Sequence, residues 1–204
     1  MALIIAALLL LVQLVAPPEG VALSGGARAF NRLKNRTEPP RAEDFDERAT
    51  LAELLRPGED RERWSASRAA AVEGYVIEVW QGGVESANSF SFFRRDTHIE
   101  VGPRPDSPRR ERVILEVTPP LRDSAKRLGM DWSNAALARE LKGRRCRFEG
   151  WLLFDFNHAE ESENIRPGAS SNWRATAWEI HPVTSIKVLT ESHQPPKAEA
   201  TPLN

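Results

Sequence analysis

Ser133-Asn134-Ala135-Ala136-Leu137-Ala138-Arg139-Glu140-Leu141-Lys142-Gly143, followed by Arg144-Arg145-Cys146-Arg147-Phe148-Glu149-Gly150-Trp151-Leu152-Leu153-Phe154-Asp155-Phe156, is a helix running straight into a strand. Ser133 is placed to cap the helix, Trp132 to staple onto Leu137, and Gly143 to stand just past its end. The Ala- and Leu-rich interior has high helix propensity. After Arg144 the period changes to two. Cys146, Phe148, Gly150, Leu152 and Phe154 share one face, and Arg147, Glu149, Trp151, Leu153 and Asp155 the other.

Three further strands are expected upstream and one downstream. Tyr75, Ile77 and Val79 alternate with Gly74, Val76 and Glu78 before the turn at Gln81-Gly82-Gly83. In Thr97–Val101, Thr97, Ile99 and Val101 are expected to face in, with Asp96, His98 and Glu100 facing out. Val113–Thr118 is a third strand, stopped by Pro119-Pro120. Beyond the acidic loop of Glu160, Glu161 and Glu163, a final long strand or bent strand pair runs from Trp173 to Leu189. Thr50 and Glu53 form a capping-box pattern for a short helix that Pro57-Gly58 ends, and Glu59–Arg63 reads as a solvated turn.

Three strands, one helix and two strands make a mainly β domain. The order is that of a small five- or six-stranded barrel of the oligonucleotide/oligosaccharide-binding (OB) type, with one helix between strands three and four. A sixth strand would come from Glu85–Phe93, and an open α+β sheet is the competing architecture. Gly74 and Gly150 suit the sharp coiling of a small barrel. The chain divides into an N-terminal signal segment (1–22), a flexible linker or arm (23–48), the barrel (49–190) and a disordered tail (191–204).

The 204 residues carry 28 Lys plus Arg against 29 Asp plus Glu, so no global positive field grips nucleic acid. The one cysteine, Cys146, rules out an internal disulfide and any multi-cysteine metal site, and its alternation with Phe148 makes it an inward-facing small hydrophobe. Leu3–Ala16 is apolar apart from Gln13 and is followed by Pro17, Pro18, Gly20 and Ala22, the pattern of a secretory signal that engages the export machinery. At 14 residues the run is shorter than the ~20 a membrane anchor needs. The expected location is periplasmic or extracellular.

Asp96-Thr97-His98-Ile99-Glu100-Val101, together with the stretch Asn172–Thr184, is similar to an uncharacterised group of bacterial, often exported proteins with an OB-like barrel. The resemblance covers about residues 50–190 and implies fold and origin, with no activity attached. The Asp96-Thr97 pair also resembles staphylococcal-type nucleases. However, Glu116-Val117-Thr118-Pro119 is followed by Pro120, where those enzymes place a catalytic glutamate.

Two sets of residues are candidates for function. His98, Glu100, His158 and His181, with Asp96, Asp155 and Glu179 nearby, combine imidazoles and carboxylates suited to a divalent metal such as Zn, and so to a metal-dependent hydrolase such as a phosphodiesterase. Trp151 and Trp173, with Asn172 and Arg174, could instead stack on and hydrogen-bond a ring-bearing ligand. The first reading requires the histidines to converge, and the second requires an exposed tryptophan beside arginine. No phosphate loop or nucleophile elbow is visible. The leading expectation is an exported binding or accessory module, for an unknown ligand or protein partner, rather than an enzyme.

Overall fold

The strand Ala69–Gln81 (β1) is long enough to serve two neighbours and so to close a sheet on itself. Its first half pairs antiparallel with Arg145–Phe154 (β4), from Ala69 opposite Trp151 to Tyr75 opposite Arg145. Its second half pairs antiparallel with Thr97–Gly102 (β2), from Tyr75 opposite Gly102 to Gln81 opposite Thr97. A register shift between Val76 and Glu78 bends the strand at the changeover. Val113–Val117 (β3) lies between β2 and Trp178–Val188 (β5), antiparallel to the first and parallel to the second. Pairing of β5 with β4 completes a closed barrel in the order β1-β2-β3-β5-β4. The computed structural model describes residues 19–190; residues 1–18 of the expected signal segment and the expected tail 191–204 lie outside them. Among the described residues no helix is long and apolar enough to cross a membrane.

Val72, Val76, Ile99, Val101, Val113, Leu115, Val117, Phe148, Leu152, Trp178, Ile180 and Val183 fill the barrel. Leu137 and Leu141 of the helix Asn134–Leu141 join this core, and Ser133 caps that helix by accepting from the Ala136 N–H. Gly150 is required by close packing: a Cβ there would lie 2.3 Å from the Pro182 carbonyl oxygen on β5. Cys146 is buried and free, and burial pushes its thiol up to about 11.

Four expectations need correction. Residues 23–48 were read as a flexible arm, but Gly25–Lys34 forms a helix (α1) capped by Ser24 and packed on the domain. Its inward residues, Asn31 and Lys34, are buried by polar contacts, so the segment shows no apolar periodicity. The short helix Leu51–Leu54 (α2) is present as read, whereas two helices separate β3 from β4: Pro119–Arg127 (α3) and Asn134–Leu141 (α4). Pro119 and Pro120 open α3 at positions that need no backbone N–H, so they start an element instead of only ending one. Residues 85–93 hold a short 3-10 turn at Ser86–Asn88 and add no sixth strand. Finally, Asp60 in the expected solvated turn is buried. It accepts from Asn164 Nδ2 at 2.7 Å and Thr176 Oγ1 at 2.6 Å, pinning the β4–β5 loop to the barrel.

Candidate functional site

Side-chain alternation puts Ile99, Leu115, Val117, Trp178 and Ile180 inside the barrel, and therefore His98, Glu116, Glu179 and His181 on the outer face of β2-β3-β5. On an ordinary half-exposed sheet these side chains would meet water. Here all four are buried, because α1 and the β1–β2 and β4–β5 loops lie over them. Asn35 Nδ2 donates to the Ala87 carbonyl at 2.8 Å, the Val21 N–H donates to the Ser86 carbonyl at 2.9 Å, and Lys34 pairs with Glu85. The signal cut after Ala22 read from the sequence would remove the Val21 contact.

Beneath this cover runs a continuous polar chain. His98 Nε2 contacts Glu116 Oε1, its cross-strand partner. Glu116 Oε2 lies 3.3 Å from His181 Nδ1, which is also 3.2 Å from Glu179 Oε2. His181 Nε2 is 3.7 Å from Asp96 Oδ2, while Asn88 Nδ2 donates to Asp96 Oδ1 at 3.1 Å. Arg174, fully buried, donates to Glu179 at 2.6 Å, to Asp155 at 3.2 Å and to the Thr176 carbonyl at 2.8 Å. Asp155 Oδ2 in turn sits 2.6 Å from His158 Nδ1, where the chain reaches solvent.

Five carboxyl groups (Glu85, Asp96, Glu116, Asp155 and Glu179) thus surround two fixed cations, Lys34 and Arg174. Burial and the neighbouring Glu116 push Asp96 up to about 7. Glu116 is raised well above the usual carboxylate range by burial and by the charge of Glu179, and Glu179 is itself raised by burial. Burial and the Lys34 charge hold His181 down to about 3, and burial lowers His98. At Lys34 burial is outweighed by the pull of Glu116 and Glu85, so its ammonium is held more firmly than usual. At Asp155 burial is outweighed by the His158 hydrogen bond and Arg174, which keep it ionised, and the same hydrogen bond raises His158. Burial thus disfavours charge on both the imidazoles and the carboxyls of the inner network, while the outer part is a conventional ion pair.

A cleft of about 330 Å³ opens onto this network between α1 and the two loops. Lys34, Glu85, Glu116, Asp155 and His158 give it polar walls, and Phe30, Val84 and Phe90 an apolar rim.

The structure brings His98 and His181 together, both against Glu116, but separates them from the other expected metal ligands. Glu100 turns to Arg112 at 2.6 Å and to the Trp80 indole at 3.3 Å. His158 reaches the same network only through Asp155 and Arg174. Among the described residues two groups could hold a metal ion: Glu85, His98 and Glu116, and Asp96, Glu116 and His181. The expected stacking residues are each engaged by protein partners. Trp151 donates to the Glu38 carbonyl at 2.9 Å beneath the Arg36 guanidinium, 4.6 Å from its ring. Trp173 is bonded to Glu161 with Arg174 5.0 Å from its ring, and Asn172 donates to Glu163 at 2.8 Å. Glu116 enters from the sequence only through the nuclease resemblance and not as a ligand, although a lone carboxylate in Val113-Ile114-Leu115-Glu116-Val117 is a usable signal. Lys34 and Glu85 gave no such signal.

No family model matches the chain, and no curated protein matches it. Among solved structures, the chain is similar to an OBody, AM3L09, bound to hen egg-white lysozyme. That likeness is at 12% identity, covering 72% of this chain and 98% of that one, with a TM-score of 0.36.

Proposed function

We propose that this protein is an exported binding module that receives a small polar ligand in the cleft over the outer β2-β3-β5 face. The observation that carries this reading is the coincidence of the cleft with the buried polar chain: Glu116 belongs to both, and Asp155 and His158 join the cleft wall to Arg174. A volume of about 330 Å³ is at the small end of ligand sites. In OB barrels the strand 2–3 face and the loops beside it are the usual ligand surface. Three wall carboxyls against Lys34 and His158 favour a neutral or cationic hydrogen-bonding edge, and the Phe30–Val84–Phe90 rim favours an attached ring or alkyl face. Export is supported by the apolar segment Leu3–Ala16 and its small-residue flank.

The test is a thermal-shift screen of small polar compounds in chelator-containing buffer, with hits retested on His158→Ala and Asn157→Ala, two cleft residues near solvent. Hits whose shift falls at least about tenfold in apparent affinity in either variant support the cleft. Hits indifferent to both variants, or a screen without hits, count against it.

A further inference from the structure

We propose that Asp96, Glu116 and His181 form a site for one divalent first-row transition metal ion on the outer barrel face. Each contributes one ligand atom, and the three atoms lie within 4.8 Å of one another on side chains almost wholly out of solvent. Acidic clustering alone would not suffice. The further observation is His181 Nε2, which is fully buried and has no hydrogen-bond partner, together with Glu116 Oε2, likewise buried and without one. Leaving buried polar atoms unmatched is costly, and a shared cation would satisfy both at once.

The 3.7 Å between His181 Nε2 and Asp96 Oδ2 is long for a hydrogen bond. It is close to the ~3.4 Å edge of a tetrahedron with metal–ligand bonds of about 2.1 Å. Supporting contacts take up the opposite atom of each ligand. Asn88 holds Asp96 Oδ1, His98 holds Glu116 Oε1, and Glu179, fixed by Arg174, accepts from His181 Nδ1. A ligating histidine whose other nitrogen is held by a carboxylate is a common supporting arrangement in metal sites. One imidazole and two carboxylates suit zinc, manganese or iron(II), and the imidazole selects against magnesium and calcium. Lys34, paired with Glu85 and drawn also by Glu116, is the resident competing cation.

Of the ligands expected from the sequence, His181 is retained, His98 supports Glu116 instead of ligating, Glu100 and His158 fall outside, and Asp96 and Glu116 enter. It does not depend on the cleft holding an organic ligand.

The experiment uses the full chain stripped with chelator and titrated with Zn²⁺ by calorimetry, and with Co²⁺ by visible absorption. One equivalent of either ion is expected to bind. Glu116→Gln and Asp96→Asn, with folding checked by circular dichroism, are expected to lose at least about 100-fold in affinity. Glu100→Gln, whose side chain turns away to Arg112 and Trp80, is expected to bind like the wild type, and Lys34→Met more tightly. Imidazole ¹⁵N spectra of the wild type give a readout that does not depend on a buried-site variant keeping its fold: Zn²⁺ should move His181 Nε2 and leave His158 in place. Absence of stoichiometric binding, retention of binding in folded Glu116→Gln, or a zinc shift centred on His158 would each overturn the proposal. Failure here leaves the cleft reading intact, since that reading is tested in metal-free buffer.

Discussion

Arg174 is the most exacting test of the buried network. Its guanidinium is fully buried and donates to Glu179, Asp155 and the Thr176 carbonyl at 2.6, 3.2 and 2.8 Å. Arg174→Met keeps much of the side-chain volume and removes all three donors. Glu179 then stays buried with only the His181 contact, and Asp155 keeps His158. Breaking such a pair from one side costs about 3–5 kcal/mol, because the remaining charge has lost both water and its counter-ion. Arg145→Met is the control: its partner Glu73 is 3.2 Å away, both side chains are partly exposed, and the expected loss is about 0–1 kcal/mol. Equilibrium urea unfolding at pH 7, followed by circular dichroism, measures both, with unchanged slopes confirming a common unfolding reaction. Adding Glu179→Gln and Asp155→Asn to Arg174→Met should recover part of the loss, since no buried charge is then unpaired. A loss below about 1 kcal/mol for Arg174→Met alone would refute the reasoning.

Two further outcomes follow from the same geometry. Gly150→Ala places a methyl carbon 2.3 Å from the Pro182 carbonyl and should destabilise by at least about 1–3 kcal/mol, whereas Gly83→Ala, with open space around it, should be near neutral in the same unfolding assay. His158, raised above the ordinary imidazole value of 6.5 by the Asp155 hydrogen bond, contributes stability that is fully present below pH 6.5 and fades as pH rises through its folded value. The stability gap between wild type and His158→Gln should therefore be larger at pH 5.5 than at pH 9. An NMR titration midpoint for His158 at or below 6.5 would contradict the ion pair.

The barrel was legible in the sequence wherever burial follows alternation. β1, β2, β3 and β4, the helix before β4 and the inward Cys146 all declare themselves through apolar residues at period two or through helix caps. Reading failed where polar side chains do the burying. Asn31, Lys34 and Asn35 dock α1 through a carbonyl, Glu85 and another carbonyl, so the segment looked like linker. Asp60 looked solvated for the same reason. β5 begins at Trp178, not Trp173, because Arg174 and Thr176 leave the strand path to join Glu179 and Asp60. Of the site, His98 and His181 were visible as outward residues of paired strands. Their meeting point was not, because β3 lies between β2 and β5 and brings Glu116 to both. Strand order is a long-range property that no local pattern encodes.

The most direct measurement is a ¹H–¹⁵N NMR titration of the full chain with cocktails of small polar, ring-bearing fragments. Amide shifts clustered at Phe30, Asn31, Lys34, Glu85, Ser86, Asn157 and His158 are the expected result, since these residues line the cleft over the polar network. Shifts confined to another surface, such as the hollow formed by Arg122, Lys126, Met130 and Trp132, would contradict the assignment of the β2-β3-β5 face as the ligand site.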